Sequence, residues 1–467
     1  MDFKTLQKNK VMIILLSIIL IYALILRIYA LGSSPLWFDE TISSLASQKI
    51  AEKGFPQFDS GLFYSRAIIF HYIQGLFIFL FGASDSIVRL VSVFFGIGTI
   101  MLAFFIGKEF NKSTGVIAAL LTAVLFLEVL YSRQARFYQT FQFLFFLTLF
   151  LLYKSKSSKA YAYLASISLI ILVQTQIAGL VLVPFFIFMF YKEHKDFKLL
   201  IIPLLVSLYF GLSFLQLDPG ISLGSTYAEE YTSQIFNSLR AFFLISLIGM
   251  PFAYKWNKRM FYLLLAPSLI LFTGLFFIKL FALRYAYFVT LSITLFIAVA
   301  LSYLYKNNKI LCIFVIFFAI IYPSNLFFQS NYLTVVKPQA ITSYETTEPI
   351  IDYKSLSEST KNIIISSDIV TLSSPGVEWY LKKPEYIIPF SLNGLESGYA
   401  LYEGKDAYTG GEVFNNQTQN FVLLEDYFGY SKLSNKELDN LNKIKAGCKI
   451  IEESNTLRVY SCNLGYI

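Results

Sequence analysis

The sequence predicts a polytopic α-helical membrane protein, with about eleven transmembrane helices, an outer juxtamembrane helix and a C-terminal extracytoplasmic α/β domain. Three observations carry that reading. Hydrophobic residues fill 56% of the 467 positions and charged ones only 15%, with 48 Phe and 32 Tyr, whereas about a quarter of a soluble chain is charged. Apolar runs recur through the first 330 residues, each close to the roughly 20 residues a helix needs to cross a bilayer. Finally, Lys and Arg gather in short clusters between those runs. The net charge of +8 is therefore spread as loop markers and not as a nucleic-acid-binding face, and no nucleic-acid partner is expected.

The clusters set the topology. Lys4, Lys8 and Lys10 precede the first run, and Lys108 with Lys112, Lys154 with Lys156 and Lys159, and Lys192 with Lys195 and Lys198 follow. Lys255, Lys258 and Arg259, then Lys306 and Lys309, complete the set. Cytoplasmic loops carry such an excess, so all six clusters are placed inside, with the N-terminus. The connections near 32–86, 131–137, 175–177, 215–236 and 281–284 then face outward. The run 67–81 is apolar, but at about 15 residues it is short for a crossing and fits an interfacial helix. Counting it as a span would also invert every later basic cluster. The expected spans are 11–31, 87–107, 115–130, 138–153, 160–175, 177–191, 198–214, 237–254, 260–280, 284–304 and 309–328. The first run, at about twenty apolar residues, exceeds the 7–15 of a signal-peptide core and is read as a retained helix.

The composition changes after Gln329, dividing the chain into a transmembrane module over 1–329, with its outer loop 32–86, and an extracytoplasmic domain over 330–467. In the latter, the runs NIIIS at 362–366 and FVLL at 421–424 are expected as buried strands. The stretch 434–445 starts with Ser434 as an N-cap and carries Leu438 and Leu441 among charges, which predicts an amphipathic helix. Cys448 and Cys462 flank two strand-like runs around Ser454-Asn455-Thr456. A hairpin centred on Asn455 sets them opposite each other, within disulfide range. Cys312 reads as a small apolar side chain in the last span.

Two polar runs carry the chemistry. Asp39 and Glu40 follow the outer end of the first span, after Pro35 and Trp37. Neighbouring carboxylates in a partly dry site repel, which raises one pKa and makes a base; the same pair is equally an ordinary solvated loop feature. Arg133 and Arg136 lie three apart, between Tyr131 and Tyr138, with Glu128 one turn earlier. A continuing helix would put both arginines on one face, where a paired guanidinium site grips a phosphate through charge-assisted hydrogen bonds. Simple reach to lipid headgroups is the plainer use of such arginines. Arg284 and Tyr285, at the mouth of the tenth span, add a cation and a ring from a distant stretch. Arg66 and His71 on the interfacial helix extend the set, His71 also fitting a water-and-headgroup bridge. Arg27 and Arg89 are read as structural or lipid-facing, Glu229 and Glu230 as solvated. Asn416-Gln417-Thr418 is a glycosylation sequon of a kind common by chance.

Together these pieces resemble the glycosyltransferase-C superfamily, specifically the relatives of dolichyl-phosphate-mannose protein mannosyltransferases and lipid A aminoarabinose transferase. The resemblance covers most of 10–305. It rests on LRIYALGSSPLWFDE (26–40), LFIFLFGASDSIVRLVSVFFG (76–96), YSRQARFYQTFQF (131–143) and LRYAYFVTL (283–291), in that order and spacing. It implies a cell-membrane enzyme of hexosyl or pentosyl type that transfers a sugar from a polyprenyl-phosphate donor to an extracytoplasmic protein, lipid or glycan by inverting displacement. Asp39 would be the general base and Glu40 would tune it or orient the acceptor. Arg133, Arg136 and Arg284 would hold the phosphate, with Arg66 as a further phosphate ligand; His71, Tyr131, Tyr138 and Tyr285 are candidate substrate contacts. The chain departs from many relatives in having Tyr64-Ser65-Arg66-Ala67 where they carry a Pro-Pro-containing motif. It also lacks the Asp-x-Asp element of the metal-using oligosaccharyltransferase branch. No cofactor is expected, the acids Glu128, Asp39 and Glu40 being the set on which a divalent ion would depend.

Other classes share the polytopic layout. A lipid-linked sugar transporter more often places ionisable residues at mid-membrane and repeats broken helices, a pattern not evident here. A polysaccharide polymerase or ligase usually has its large outer loop between spans, whereas here the large outer mass is C-terminal.

Overall fold

The computed structural model describes residues 3–193, 201, 204–205, 208–209, 241–274, 283–321, 350–372, 374–388, 401–402, 405–414, 420–430 and 433–463. Glu229, Glu230, the sequon at 416–418 and most of the expected span 198–214 lie outside the described residues. Among the described residues the first helices are α1 (Phe3–Ile28), α2 (Phe38–Lys53), α3 (Ile68–Phe81), α4 (Asp85–Lys108), α5 (Lys112–Val124), α6 (Phe126–Tyr131), α7 (Tyr138–Lys154), α8 (Lys159–Thr175) and α9 (Val183–Glu193). They continue with α10 (Ala241–Trp256), α11 (Lys258–Gly274), α12 (Leu283–Tyr287), α13 (Thr290–Asn307), α14 (Lys309–Ile321), α15 (Glu358–Ser366), α16 (Ser374–Tyr380), α17 (Tyr427–Tyr430) and α18 (Asn435–Lys445).

The chain forms two compact units, each discontinuous in sequence: Met1–Leu31 with Arg89–Val336, and Gly32–Val88 with Lys337–Ile467. The outer loop, grouped by sequence with the spans, thus packs with the C-terminal segment.

Among its described residues the first unit is built of helices. Lys10–Ile28, Asp85–Lys108 and Thr290–Asn307 are long and apolar enough to cross a membrane, and shorter apolar helices include Lys112–Val124, Lys159–Thr175 and Phe243–Trp256. The expected span 115–130 breaks at Leu125, whose extended backbone separates α5 from α6. The expected span 284–304 likewise divides into α12 and α13. Local chemistry fixes the starts: the Asn111 side chain accepts the Thr114 N–H (2.9 Å) and Ser158 accepts that of Ala160 (3.2 Å), satisfying donors that have no partner within their helix. Helices α4 and α5 meet at Gly107 and Gly115, where a Cβ on Gly107 would stand 2.9 Å from the Gly115 Cα. Small residues give this close approach between apolar helices.

The second unit combines α2 and α3 with an eight-stranded sheet: β1 (Ile369–Thr371), β2 (Tyr386–Ile387), β3 (Leu401–Tyr402), β4 (Lys405–Asp406), β5 (Glu412–Val413), β6 (Asn420–Asp426), β7 (Cys448–Glu453) and β8 (Leu457–Asn463), in the order β3-β4-β5-β2-β1-β6-β8-β7. Strand β1 pairs in parallel with β2 and β6, while β6, β8 and β7 form antiparallel ladders. The FVLL run lies within β6, buried on both faces. Helix α18 begins with Ser434 and Glu437 capping each other's backbone N–H. Cys448 pairs with Cys462 across β7 and β8, and the two form a disulfide with Cα atoms 4.0 Å apart.

In the second unit, one element differs from expectation. Residues 362–366 belong to helix α15 and not to a strand. Ser357 caps it through the Thr360 N–H at 3.3 Å. Three consecutive isoleucines do not alternate, and only Ile364 turns inward, one helical turn after buried Thr360; Ile363 and Ile365 are exposed.

Candidate active site

Each unit carries its own group of the candidate residues. In the second, Leu36 and Trp37 are buried and Trp37 is extended, so α2 starts at Phe38 with Asp39 and Glu40 in its first turn. Both carboxylates lie at the positive end of the helix dipole. The two differ in setting. Glu40 is buried and its Oε2 accepts the Trp37 N–H at 3.2 Å, closing the helix from within. Asp39 is half-buried.

The approach to α2 is held by residues that the sequence did not mark. Asp85 accepts hydrogen bonds from Trp379 Nε1 (2.9 Å) and the Tyr380 hydroxyl (2.7 Å) and pairs with Lys354 (2.5 Å). The Tyr380 oxygen accepts the Leu36 N–H at 2.5 Å, and Lys354 donates to the Gly32 carbonyl at 2.7 Å. These contacts cross about three hundred positions, so no local spacing could have revealed them.

Helix α3 packs on α2. His71 is buried, its Nδ1 3.1 Å from Ser47 Oγ. Ser47 also donates to Gln74 Oε1 (2.5 Å), and Gln74 donates to the Val88 carbonyl (2.7 Å). His71 therefore lies in the seam between the two helices. Arg66 is exposed and precedes Ala67, whose φ of 47° is left-handed and sparsely populated for a residue with a Cβ. On the far side of α3, Tyr72, Leu76, Phe79 and Leu80 form an exposed apolar stripe.

In the first unit the two paired arginines part company. Helix α6 ends at Tyr131 and α7 starts at Tyr138, so the continuing helix expected through 133–136 is absent and the shared face with it. Arg133 donates from Nη1 to the carbonyls of Leu26, Arg27 and Tyr29 at 2.8–2.9 Å. It satisfies the acceptors left open where α1 ends, as cations at helix C-termini do. Arg27, fully buried, does the same for α5, donating to the Ala123 (2.9 Å) and Thr122 (3.2 Å) carbonyls. Arg89 donates to the Leu31 carbonyl at 2.9 Å.

Arg136 stands over aromatic rings, its guanidinium carbon 5.1 Å from the centre of Phe137 and 5.4 Å from that of Tyr138. Arg284 approaches the same Tyr138 ring at 5.9 Å and its neighbour Tyr285 at 5.5 Å. Two cations remote in sequence thus converge on one aromatic ring. A guanidinium group binds an anion through charge-assisted hydrogen bonds. Tyr138 meets Tyr131 edge to face at 5.8 Å, and Tyr131 stacks on Tyr287 at 4.1 Å. Among the described residues no three His, Cys, Asp or Glu side chains gather in a group that would hold a metal ion.

Residues 65–216 match the family model of dolichyl-phosphate-mannose-protein mannosyltransferase. No curated protein matches the chain by sequence. Among solved structures, ArnT from Cupriavidus metallidurans bound to undecaprenyl phosphate superimposes with a TM-score of 0.63 at 10% identity, covering 95% of this chain and 97% of that one. The apo form of the same protein gives 0.62 at 10% identity, over 97% and 98%. The Archaeoglobus fulgidus oligosaccharyltransferase, in complex with zinc and sulfate, gives 0.57 at 13% identity, over 95% and 72%. At such identities the likeness is one of fold. The chain is thus similar to the mannosyltransferase family over 65–216 and shares its fold with ArnT and the oligosaccharyltransferase.

Proposed function

We propose that the protein transfers a sugar from a polyprenyl-phosphate donor to a hydroxyl acceptor outside the cytoplasm, with inversion at the anomeric carbon. The observation that carries this reading is the convergence of Arg136 and Arg284 on the Tyr138 ring, which suits a phosphate that becomes a dianionic leaving group. Stabilising charge where it develops is the largest single contribution in many enzymes. Asp39 removes the acceptor's proton as its oxygen attacks the anomeric carbon, the C–O bond to phosphate breaks, and the electron pair departs with the phosphate. Glu40 holds the turn that presents Asp39. Arg133 serves the clamp from behind by fixing the end of α1, and exposed Arg66 adds a cation for the donor's phosphate. His71 serves the α2–α3 seam, and Tyr285 lines Arg284. The apolar stripe of α3 suits the membrane surface, in a topology with the N-terminus cytoplasmic and the second unit outside.

The experiment is transfer from a panel of radiolabelled polyprenyl-phosphate sugars by purified protein in lipid, wild type beside Asp39→Asn. The variant is expected to melt as wild type does and to lose about 10²–10⁴-fold in turnover, the usual contribution of a general base. Undiminished turnover in folded Asp39→Asn would remove the base assignment. The labelled product names sugar and acceptor together.

A further inference from the structure

Behind the arginine pair lies a buried polar cluster to which the proposed reaction assigns no role. The Tyr287 hydroxyl is shared among Glu128 Oε2 (2.8 Å), Gln139 Oε1 (2.6 Å) and Gln142 Oε1 (2.8 Å). Glu128 Oε1 accepts from Gln142 Nε2 and from the Thr290 hydroxyl, each at 3.1 Å. Gln142 also reaches the Tyr287 carbonyl (3.4 Å), which Thr290 binds at 2.7 Å. Glu128 and Tyr287 are fully or almost fully buried.

The cluster's position gives it a meaning beyond packing. Glu128 belongs to α6, six residues long, and Tyr287 to α12, five residues long. An isolated helix needs roughly 12–15 residues to persist, so neither orients itself. Arg284 sits on α12 one turn before Tyr287, and Arg136 lies in the connection from α6 to α7, next to the start of α7. The Glu128–Tyr287 bond and the Tyr131–Tyr287 stack join these two segments, and Tyr131 in turn meets the Tyr138 ring that both arginines approach.

We infer that Glu128 is a positioning residue for the arginine clamp: by holding Tyr287 it locks α6, which leads into the connection with Arg136, to α12, which carries Arg284. This rests on the clamp's proposed role as a phosphate site. Glu128 touches neither guanidinium in the contacts described above, so its effect passes through Tyr287 and the ring frame.

The test is binding of undecaprenyl phosphate to the full-length protein in lipid nanodiscs, with thermal unfolding measured in parallel. Tyr287→Phe and Glu128→Ala are expected to weaken binding about 10-fold, the size of coupling seen between contacting residues. Glu128→Gln keeps an acceptor oxygen for the Tyr287 hydroxyl and is expected to recover most of that loss. On an Arg284→Ala background, Tyr287→Phe should add little, because the group it would misplace is gone. Where Glu128→Ala does not fold, Tyr287→Phe, which removes one oxygen and no ring, carries the test. A lower melting temperature with unchanged affinity, or losses that simply multiply with Arg284→Ala, overturns the positioning role. If Arg136→Ala weakens binding and neither cluster variant does, the clamp stands and the positioning role falls. If wild type binds no undecaprenyl phosphate, the clamp falls and the positioning role with it.

Discussion

Arg133 and Arg136 have the same side chain three positions apart and different work. Arg133 donates to three main-chain carbonyls at the close of α1, whereas Arg136 stands over Phe137 and over the Tyr138 ring that Arg284 also approaches. Arg133→Ala leaves three carbonyls, that of buried Arg27 among them, without this donor, so it is expected to destabilise the protein by about 1–3 kcal/mol. Arg136→Ala is expected to lower turnover with a smaller change in melting. Thermal unfolding and transfer measured on both variants would show this split, and equal effects on stability would refute it. The sequence held the residue types but not the distinction. Spacing of three implies a shared face only if the helix continues, and it stops at Tyr131. Asp39 and Glu40 were legible as a pair, and their separation into an inward helix closer and a half-buried acid follows from α2 starting at Phe38. The Glu128–Tyr287 bond was not legible, because the partners are 159 residues apart.

At the scale of elements, pattern reading worked where one physical rule dominated. Helix α18 was visible because Ser434 reads as an N-cap and Leu438 and Leu441 recur at helical spacing among charges. The β7–β8 hairpin was visible because two cysteines at equal distance from a turn fix its register. The run 362–366 misled because strand propensity of isoleucine is decided by what the side chains pack against, and two of its three face outward. The α2–α3 seam offers a sharper test of packing. A Cβ on Gly75 would lie 2.9 Å from the Ser47 carbonyl and 3.0 Å from Ile50 Cγ2. The neighbouring atoms are backbone and a branched side chain, which yield little. Gly75→Val is expected to destabilise by about 1–3 kcal/mol, as overpacking does, and to lower the melting temperature accordingly. Unchanged melting would mean the helices separate freely at this point, and the buried Ser47–His71–Gln74 set would then not constrain α3.

At the scale of the molecule, the second unit is assembled from two stretches with the helical unit's Arg89–Val336 between them in sequence, and its cohesion is open to titration. Lys49 bridges Asp59 (3.1 Å) and Glu378 (3.3 Å), while Lys53 adds a second bond to Asp59 at 3.0 Å, joining the loop to the C-terminal segment. The groups respond to burial differently. For Asp59, burial acts upward but the hydrogen bonds from Lys53 and Lys49 outweigh it, leaving its pKa below the ordinary 3.8. For Glu378, burial dominates the pull of Lys49 and its pKa stands above the ordinary 4.5. A depressed carboxylate contributes stability that is complete above its unfolded value and is lost as pH falls through the folded one; a raised carboxylate contributes with the opposite slope. Asp59→Asn is therefore expected to melt below wild type at pH 7, by about 1 kcal/mol for a partly exposed network, and the gap should close as pH drops below 3.8. Glu378→Gln should instead gain on wild type as pH rises from 4.5, because wild type then has to ionise a buried carboxyl. Melting curves of the three full-length proteins from pH 7 to pH 3 would decide it. Parallel curves at every pH would mean that these ion pairs are solvated and that other contacts, such as Trp379 against the Ile42–Phe58 cluster and its hydrogen bond to Asp85, join the two stretches.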